Sequence, residues 1–189
     1  MATPPRSRCC ATGRTPTGAR WARPSSRLYA ALDTSKKNGT DPQPIAAFLD
    51  GDSGTDLGLD ALYANEDDNG VELADLLAAI DNGTPPIVDI EAWQDVTQRE
   101  DLKPWATDWD DGHYVVLVGY DDDNLYFMDP STARFCAYIP RDEFVQRWHD
   151  TVGANNAKKQ HMTIFVKPRN PSITPYTGAT VPSETYRIF

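Results

Sequence analysis

Residues 111–120 read Asp-Gly-His-Tyr-Val-Val-Leu-Val-Gly-Tyr, an acidic step Asp121-Asp122-Asp123-Asn124 follows, and Leu125-Tyr126-Phe127-Met128 runs into Asp129-Pro130. β-Branched and aromatic residues on both sides of a short acidic turn predict a hairpin. Proline ends a ladder, so Pro130 fixes where the second strand stops. The hairpin's open end then brings His113 and Asp129 within one or two residue pairs of each other on neighbouring strands. An imidazole oriented by a carboxylate is two-thirds of a nucleophilic triad. Each residue alone has a plainer reading, His113 as a strand end and Asp129 as a strand stop; the pairing makes the catalytic reading specific.

Composition sets the frame for that hairpin. A chain of 189 residues is long enough to bury a core as one domain. No apolar run approaches the roughly 20 residues that span a bilayer, so a soluble chain is expected. A net charge of -10 argues against nucleic acid or an anionic membrane surface as partner. Charge is unevenly placed: Arg6, Arg8, Arg14, Arg20, Arg23 and Arg27 precede the first acidic residue, Asp33. Three cysteines, Cys9, Cys10 and Cys136, form no disulfide framework, and a reducing, cytoplasmic compartment is expected. Scattered histidines and the lack of a Cys-x-x-Cys speak against zinc, and no cofactor is implied.

Along the chain, residues 1–27 show no periodicity, and Pro4, Pro5, Pro16 and Pro24 break any long helix. This segment is expected to be disordered, residues 28–168 to form the domain, and 169–189 to be an extended proline-containing tail. Leu28 to Leu32 reads as a short helix. Asp41 is expected to cap a helix opened by Pro42. Residues 58–64 read as a strand, and Asn69 with Glu72 as the cap of a helix carrying Leu73, Leu76, Leu77 and Ile80 on one stripe. Asn82-Gly83 ends it before a strand at 86–90. Residues 93–111 form a long loop with Trp93, Trp105 and Trp109, and such a loop is usually functional or disordered. A strand at 134–139, a helix opened by Pro140 with Phe144, Val145 and Trp148 inward, and a strand at 163–166 complete the series. Helices followed by a mostly antiparallel sheet define an α+β fold.

Other candidate groups read as structural. The Asp121–Asp123 run lacks the alternate spacing, glycine and distal glutamate of an EF-hand loop and is expected to be a solvated turn. Asp108, Asp110 and Asp111 are also expected to be solvated, although they could attract a basic substrate residue. His149 and His161 read as structural, and Cys136 as a small apolar strand residue.

The blocks 111–120, 125–131 and Tyr138-Ile139-Pro140-Arg141-Asp142-Glu143-Phe144, continued by Trp148-His149-Asp150, resemble the papain-like bacteriocin-processing (double-glycine leader) cysteine peptidases and their stand-alone bacterial relatives. Leu73 to Val88 is similar to that family's helix, glycine turn and strand. The resemblance covers about three quarters of the chain. It implies a papain-like fold and a peptide or protein substrate. His113 would be general base, Asp129 its orienting carboxylate, and Trp105 and Trp109 the wall of a substrate cleft. It also implies a cysteine at the start of an apolar helix, where the helix N-terminus lowers the thiol pKa.

Cys10 is the nucleophile that the chain offers, and it departs from the pattern: no Cys-Gly and no preceding glutamine stand there. Cys-Cys-Ala-Thr-Gly requires codons TGY-TGY-GCN-ACN-GGN. Read one base earlier, these become NTG, YTG, YGC, NAC and NGG, which permit Leu-Leu-Arg-Tyr-Trp. Residues 1 to about 27 are therefore hypothesised to be a frameshifted start, with the true cysteine encoded upstream; upstream DNA lacking an in-frame Cys-Gly would refute this. The expected activity is peptide hydrolysis through a Cys-His-Asp triad. The alternatives are an inactive peptide-binding pseudo-enzyme or an acyltransferase of the same superfamily. Oligomeric state is not legible.

Overall fold

The computed structural model describes residues 25–37, 39–52, 54, 56–94, 102–132, 136–170 and 185–189. Cys9 and Cys10, and with them the whole question of the N-terminal segment up to Pro24, lie outside the described residues. The first helices are α1 (Ser25–Ala31) and α2 (Pro42–Asp50). Pro42 opens α2, as the sequence predicts, but Asp41 makes no cap; its carboxylate accepts instead from the Gly153 N–H at 2.9 Å.

β1 (Leu59–Ala64) leads into a helix boundary that differs from expectation. Asn65, not Asn69, is the cap: its side chain accepts from the Asp68 N–H and starts the short α3 (Glu66–Asn69). Gly70 then turns the chain with a φ of 66°, a conformation that costs glycine little. The next helix, α4 (Leu73–Asp81), begins after Glu72, whose N–H is taken by Asp75 Oδ2 at 2.8 Å. Leu76, Ala79 and Ile80 are its buried stripe.

The main sheet contains β1, β2 (Ile87–Glu91), β3 (Gly112–Tyr120), β4 (Asn124–Met128), β5 (Cys136–Pro140), β8 (Thr163–Pro168) and β9 (Tyr186–Arg187). Their order is β1-β8-β2-β3-β4-β5-β9, and every pairing is antiparallel except β5 with β9. A separate ribbon joins β6 (His149–Val152) to β7 (Ala157–Gln160). The architecture is α+β with a mostly antiparallel sheet.

α5 (Arg141–Arg147) packs Phe144 and, just past its end, Trp148 into a core with Val88, Ile90, Leu117 and Phe127. Val145 was expected to face inward; it is exposed, and Arg147 takes the buried position. His149, expected at a helix end, opens β6. The part of the tail that is described returns to the sheet as β9 and buries Ile188 in the core. No helix among the described residues is long and apolar enough to cross a membrane.

Candidate active site

β3 and β4 fold back as the sequence predicts. Asp121 Oδ1 accepts from the N–H groups of Asp123 (2.9 Å) and Asn124 (2.8 Å), so the acidic run is a hydrogen-bonded turn. In the ladder Val116 faces Met128 and Leu117 faces Phe127. Extended by one step, that register sets Asp129 opposite Val115, on the face that Val115 shares with His113. The two functional side chains are therefore diagonal neighbours, within reach of a histidine side chain.

His113 Nε2 lies 2.8 Å from Asp129 Oδ1. The Asp129 side chain is fully buried and the His113 side chain is 12 % exposed. An ionised carboxylate only accepts, so the Nε2 proton belongs to this bond. The Ser131 N–H donates to the same Oδ1 at 2.8 Å, which fixes the carboxylate beneath the ring. Asp129 Oδ2 is buried without a partner among the described residues. The imidazole bonds through Nε2, and Nδ1 has no hydrogen-bond partner among the described residues.

The aromatic group on the imidazole is Trp93, with ring centroids 4.8 Å apart and planes tilted by 57°. Trp93 is half-exposed and holds a φ of 68°, a left-handed conformation that is strained for a bulky side chain. Its N–H donates to the Phe189 carbonyl at 2.6 Å. The sequence signal for Trp93 was the return of the chain. β2 ends at Glu91, opposite Gly112, so the residues just past it lie beside the start of β3.

Trp105 and Trp109 are placed elsewhere. Trp105, in the turn Trp105–Thr107, lies beneath the buried Arg147 guanidinium, 4.0 Å from its ring centroid. Arg147 also donates through Nε to the Glu91 carbonyl (2.8 Å) and through Nη1 to the Ile188 carbonyl (2.8 Å) and Glu143 Oε1 (3.0 Å). Burial pulls this guanidinium down to about 10 despite the Glu143 partner. Trp109 packs on His149, with centroids 4.0 Å apart, and lines a concavity on the other side of β3. His149 is buried, bonds the Asp108 carbonyl at 2.7 Å, and is held below the usual imidazole range by desolvation. His161 bonds the Val71 carbonyl at 2.7 Å and stacks on Trp148. Both histidines serve packing, in line with their sequence reading.

Cys136 is buried on β5 and pairs in the ladder with Met128. Alternation sets Met128 on the face opposite Asp129, so Cys136 is not presented to the imidazole. Among the described residues no group of three or more His, Cys, Asp and Glu side chains is placed to hold a metal ion.

No curated protein matches the chain. A crystal structure described as a C39-like peptidase from Bacillus anthracis is similar at 20 % identity and a TM-score of 0.46, over 70 % of this chain and 62 % of that one. The chain thus spans less than two thirds of that structure's length. Residues 52–156 match the family described as Peptidase_C39 like, a stretch that carries β1 to β6, the His113–Asp129 pair and Trp93. With more than half of its length inside that match, the chain belongs to the C39-like peptidase family.

Proposed function

We propose that this chain is a cysteine-peptidase domain in which His113 and Asp129 serve a thiol and the substrate is a peptide or protein. The observation that carries the reading is the Nε2–Asp129 bond at 2.8 Å, which leaves Nδ1 clear to meet a sulfhydryl. Asp129 fixes the tautomer and steadies the imidazolium. His113 takes the thiol proton at Nδ1; the thiolate attacks the peptide carbonyl; the imidazolium returns the proton to the leaving amine. Water then cleaves the acyl-enzyme, with the imidazole as base. Trp93 covers the ring and limits its rotation.

Cys136 stands on the wrong face of the sheet, so the candidate nucleophile in this sequence is Cys10; under the frameshift hypothesis it is the cysteine encoded upstream instead. The test is alkylation of the whole chain by iodoacetamide, located by mass spectrometry. Labelling at Cys10 should slow sharply in His113→Ala, and Cys136 should stay unlabelled until the protein unfolds. Labelling of Cys10 that is indifferent to His113, together with no cleavage of a peptide library, would sink the enzymatic reading and leave the peptide-binding alternative.

A further inference from the structure

The other face of β3 holds a second group of side chains that the dyad does not use. Alternation sets Gly112 and Tyr114 there, and the ladder places Glu91 opposite Gly112 and Asp89 opposite Tyr114. A concavity of about 780 Å³ opens over this face, with four carboxylates in its wall: Asp41, Asp110, Asp111 and Asp150. Its size suits a side chain or a small organic ligand.

Two features distinguish it from a solvated acidic surface. First, the wall is built around a bare glycine. A Cβ on Gly112 would fall 1.6 Å from Asp150 Oδ2, so the Asp150 carboxylate lies directly on the strand backbone. Second, two carboxylates beneath the wall are buried and incompletely bonded. Glu91 is fully buried; its Oε2 accepts from the Asp111 N–H at 3.0 Å, against the wall, and its Oε1 has no partner among the described residues. Asp89 is 2 % exposed, shares its face with Tyr114 and Asp150, and has an Oδ1 without a described partner. Burying unpaired carboxylates is costly. Desolvation and mutual repulsion push Asp89 and Asp150 up from the usual carboxylate range and Glu91 to about 7.

The wall also carries two cations, Lys37 and Lys158, which leave its four carboxylates in excess. Lys103 is taken by Asp108 and Asp110. Lys158 lies on the Trp109 ring, 4.5 Å from its centroid, so the wall already seats one ammonium on an aromatic face. Asp41, Asp111 and Asp150 make no ion pair among the described residues. A bare metal would need oxygens converging at about 2–2.5 Å, and no described cluster offers that.

We propose that this concavity recognises an organic cation, the ammonium or guanidinium of a lysine or arginine side chain carried by a peptide. Asp41, Asp111 and Asp150 in the wall supply the charge, and Trp109 supplies an aromatic face. Asp111 and Gly112 directly precede His113, so a peptide anchored here runs past the open end of the hairpin. That the ligand is a peptide rests on the reading above; recognition of the cation does not.

The experiment is an NMR titration of the whole chain with Nα-acetyl-arginine amide and Nα-acetyl-lysine amide, with the norleucine analogue as neutral control. The Trp109 indole and Gly112 amide resonances report the site, whether or not the thiol is reactive. Saturable shifts are expected with both cations and not with norleucine. Asp150→Asn, which keeps the acceptor for the Thr151 N–H, should weaken binding about tenfold. Lys158→Met, which removes a competing ammonium, should strengthen it about threefold. Equal response to norleucine, no loss in Asp150→Asn, no saturation at all, or displacement of the arginine amide by low-millimolar magnesium or calcium would each overturn the proposal. None of these outcomes depends on alkylation at Cys10, so failure of the cation site and failure of the peptidase reading are separable.

Discussion

Removing the Asp129 carboxylate tests the dyad most directly, because its effects on stability and on reactivity can be worked out separately. Asp129 Oδ1 accepts two bonds of 2.8 Å, from His113 Nε2–H and from the Ser131 N–H, within a fully buried side chain. In Asp129→Ala both donors lose their acceptor. Hydrogen bonds to charged groups contribute about 1.5–3 kcal/mol each, and a stranded donor costs about 1–3 kcal/mol. Water can reach both donors in part, since His113 is slightly exposed and Ser131 is exposed, which holds the cost at the lower end of these ranges. The expected loss is therefore about 3 kcal/mol, or roughly 6–12 °C in Tm for a chain of this size.

Asp129→Asn separates the two roles. Its Oδ1 still accepts both bonds, while its amide places a donor where Asp129 Oδ2 has no described partner, at a cost of about 1–2 kcal/mol. The charge that steadies an imidazolium is lost in both variants. Urea unfolding should rank the wild type above Asp129→Asn and Asp129→Ala last, whereas Cys10 alkylation at pH 7 should fall by a similar large factor in both. If Asp129→Asn alkylates at the wild-type rate, Asp129 does not support a thiolate–imidazolium pair. If Asp129→Ala unfolds at the wild-type urea midpoint, the two hydrogen bonds carry no net stability and the energetic argument fails.

Trp93→Ala should open the dyad to solvent: the low-field Nε2 proton resonance of His113 should broaden away, and Trp93→Phe should retain it. Arg147→Lys should cost about 2–4 kcal/mol in urea unfolding, because a single ammonium cannot replace bonds to Glu91, Ile188 and Glu143 together with the Trp105 contact; a loss below about 0.5 kcal/mol would deny it that role. Burial raises the folded pKa of Glu91 from 4.5 to about 7, so folding favours its protonated form. That stabilisation is complete below the unfolded value and is lost as pH rises through 7; the wild type should lose up to about 3 kcal/mol relative to Glu91→Gln between pH 5 and pH 8. Parallel pH–stability curves for the two proteins would refute it.

The hairpin was legible because everything that defines it is contiguous. A β-rich run, an acidic turn whose side chain caps its own backbone, and a terminal proline fix both register and the diagonal meeting of His113 and Asp129. The β6–β7 ribbon was not legible, since His149 to Val152 and Ala157 to Gln160 show no apolar alternation and pair through a turn set by Gly153 and Asn156 in left-handed conformations. Asn69 reads as the cap of one helix, whereas the turn at Gly70 divides the region into two, the first capped by Asn65 and the second opening after Glu72. Helical spacing alone could not rank Val145 against Arg147. Arg147 is inside because the carbonyls that accept from it lie 56 and 41 residues away in the chain, at Glu91 and Ile188. Trp93 was hidden for the same reason: its neighbour His113 is reached through strand pairing, not through sequence proximity.

β3 divides two kinds of chemistry by the period of a strand. His113 turns toward Asp129 and Trp93; Gly112 and Tyr114, one residue to either side, turn toward Asp150, Glu91 and Asp89. A carboxylate that orients an imidazole must be bonded in place, while a carboxylate that meets a cation must face the cavity. Asp129 meets the first requirement with two donors on one oxygen, and Asp150 meets the second in the wall of the concavity. The backbone between them separates the two sets, so an incoming cation can be drawn to one face without competing for the carboxylate that serves the imidazole on the other. That separation depends on Gly112, since any larger side chain there would displace Asp150 while leaving the His113–Asp129 contact on its own face of the sheet.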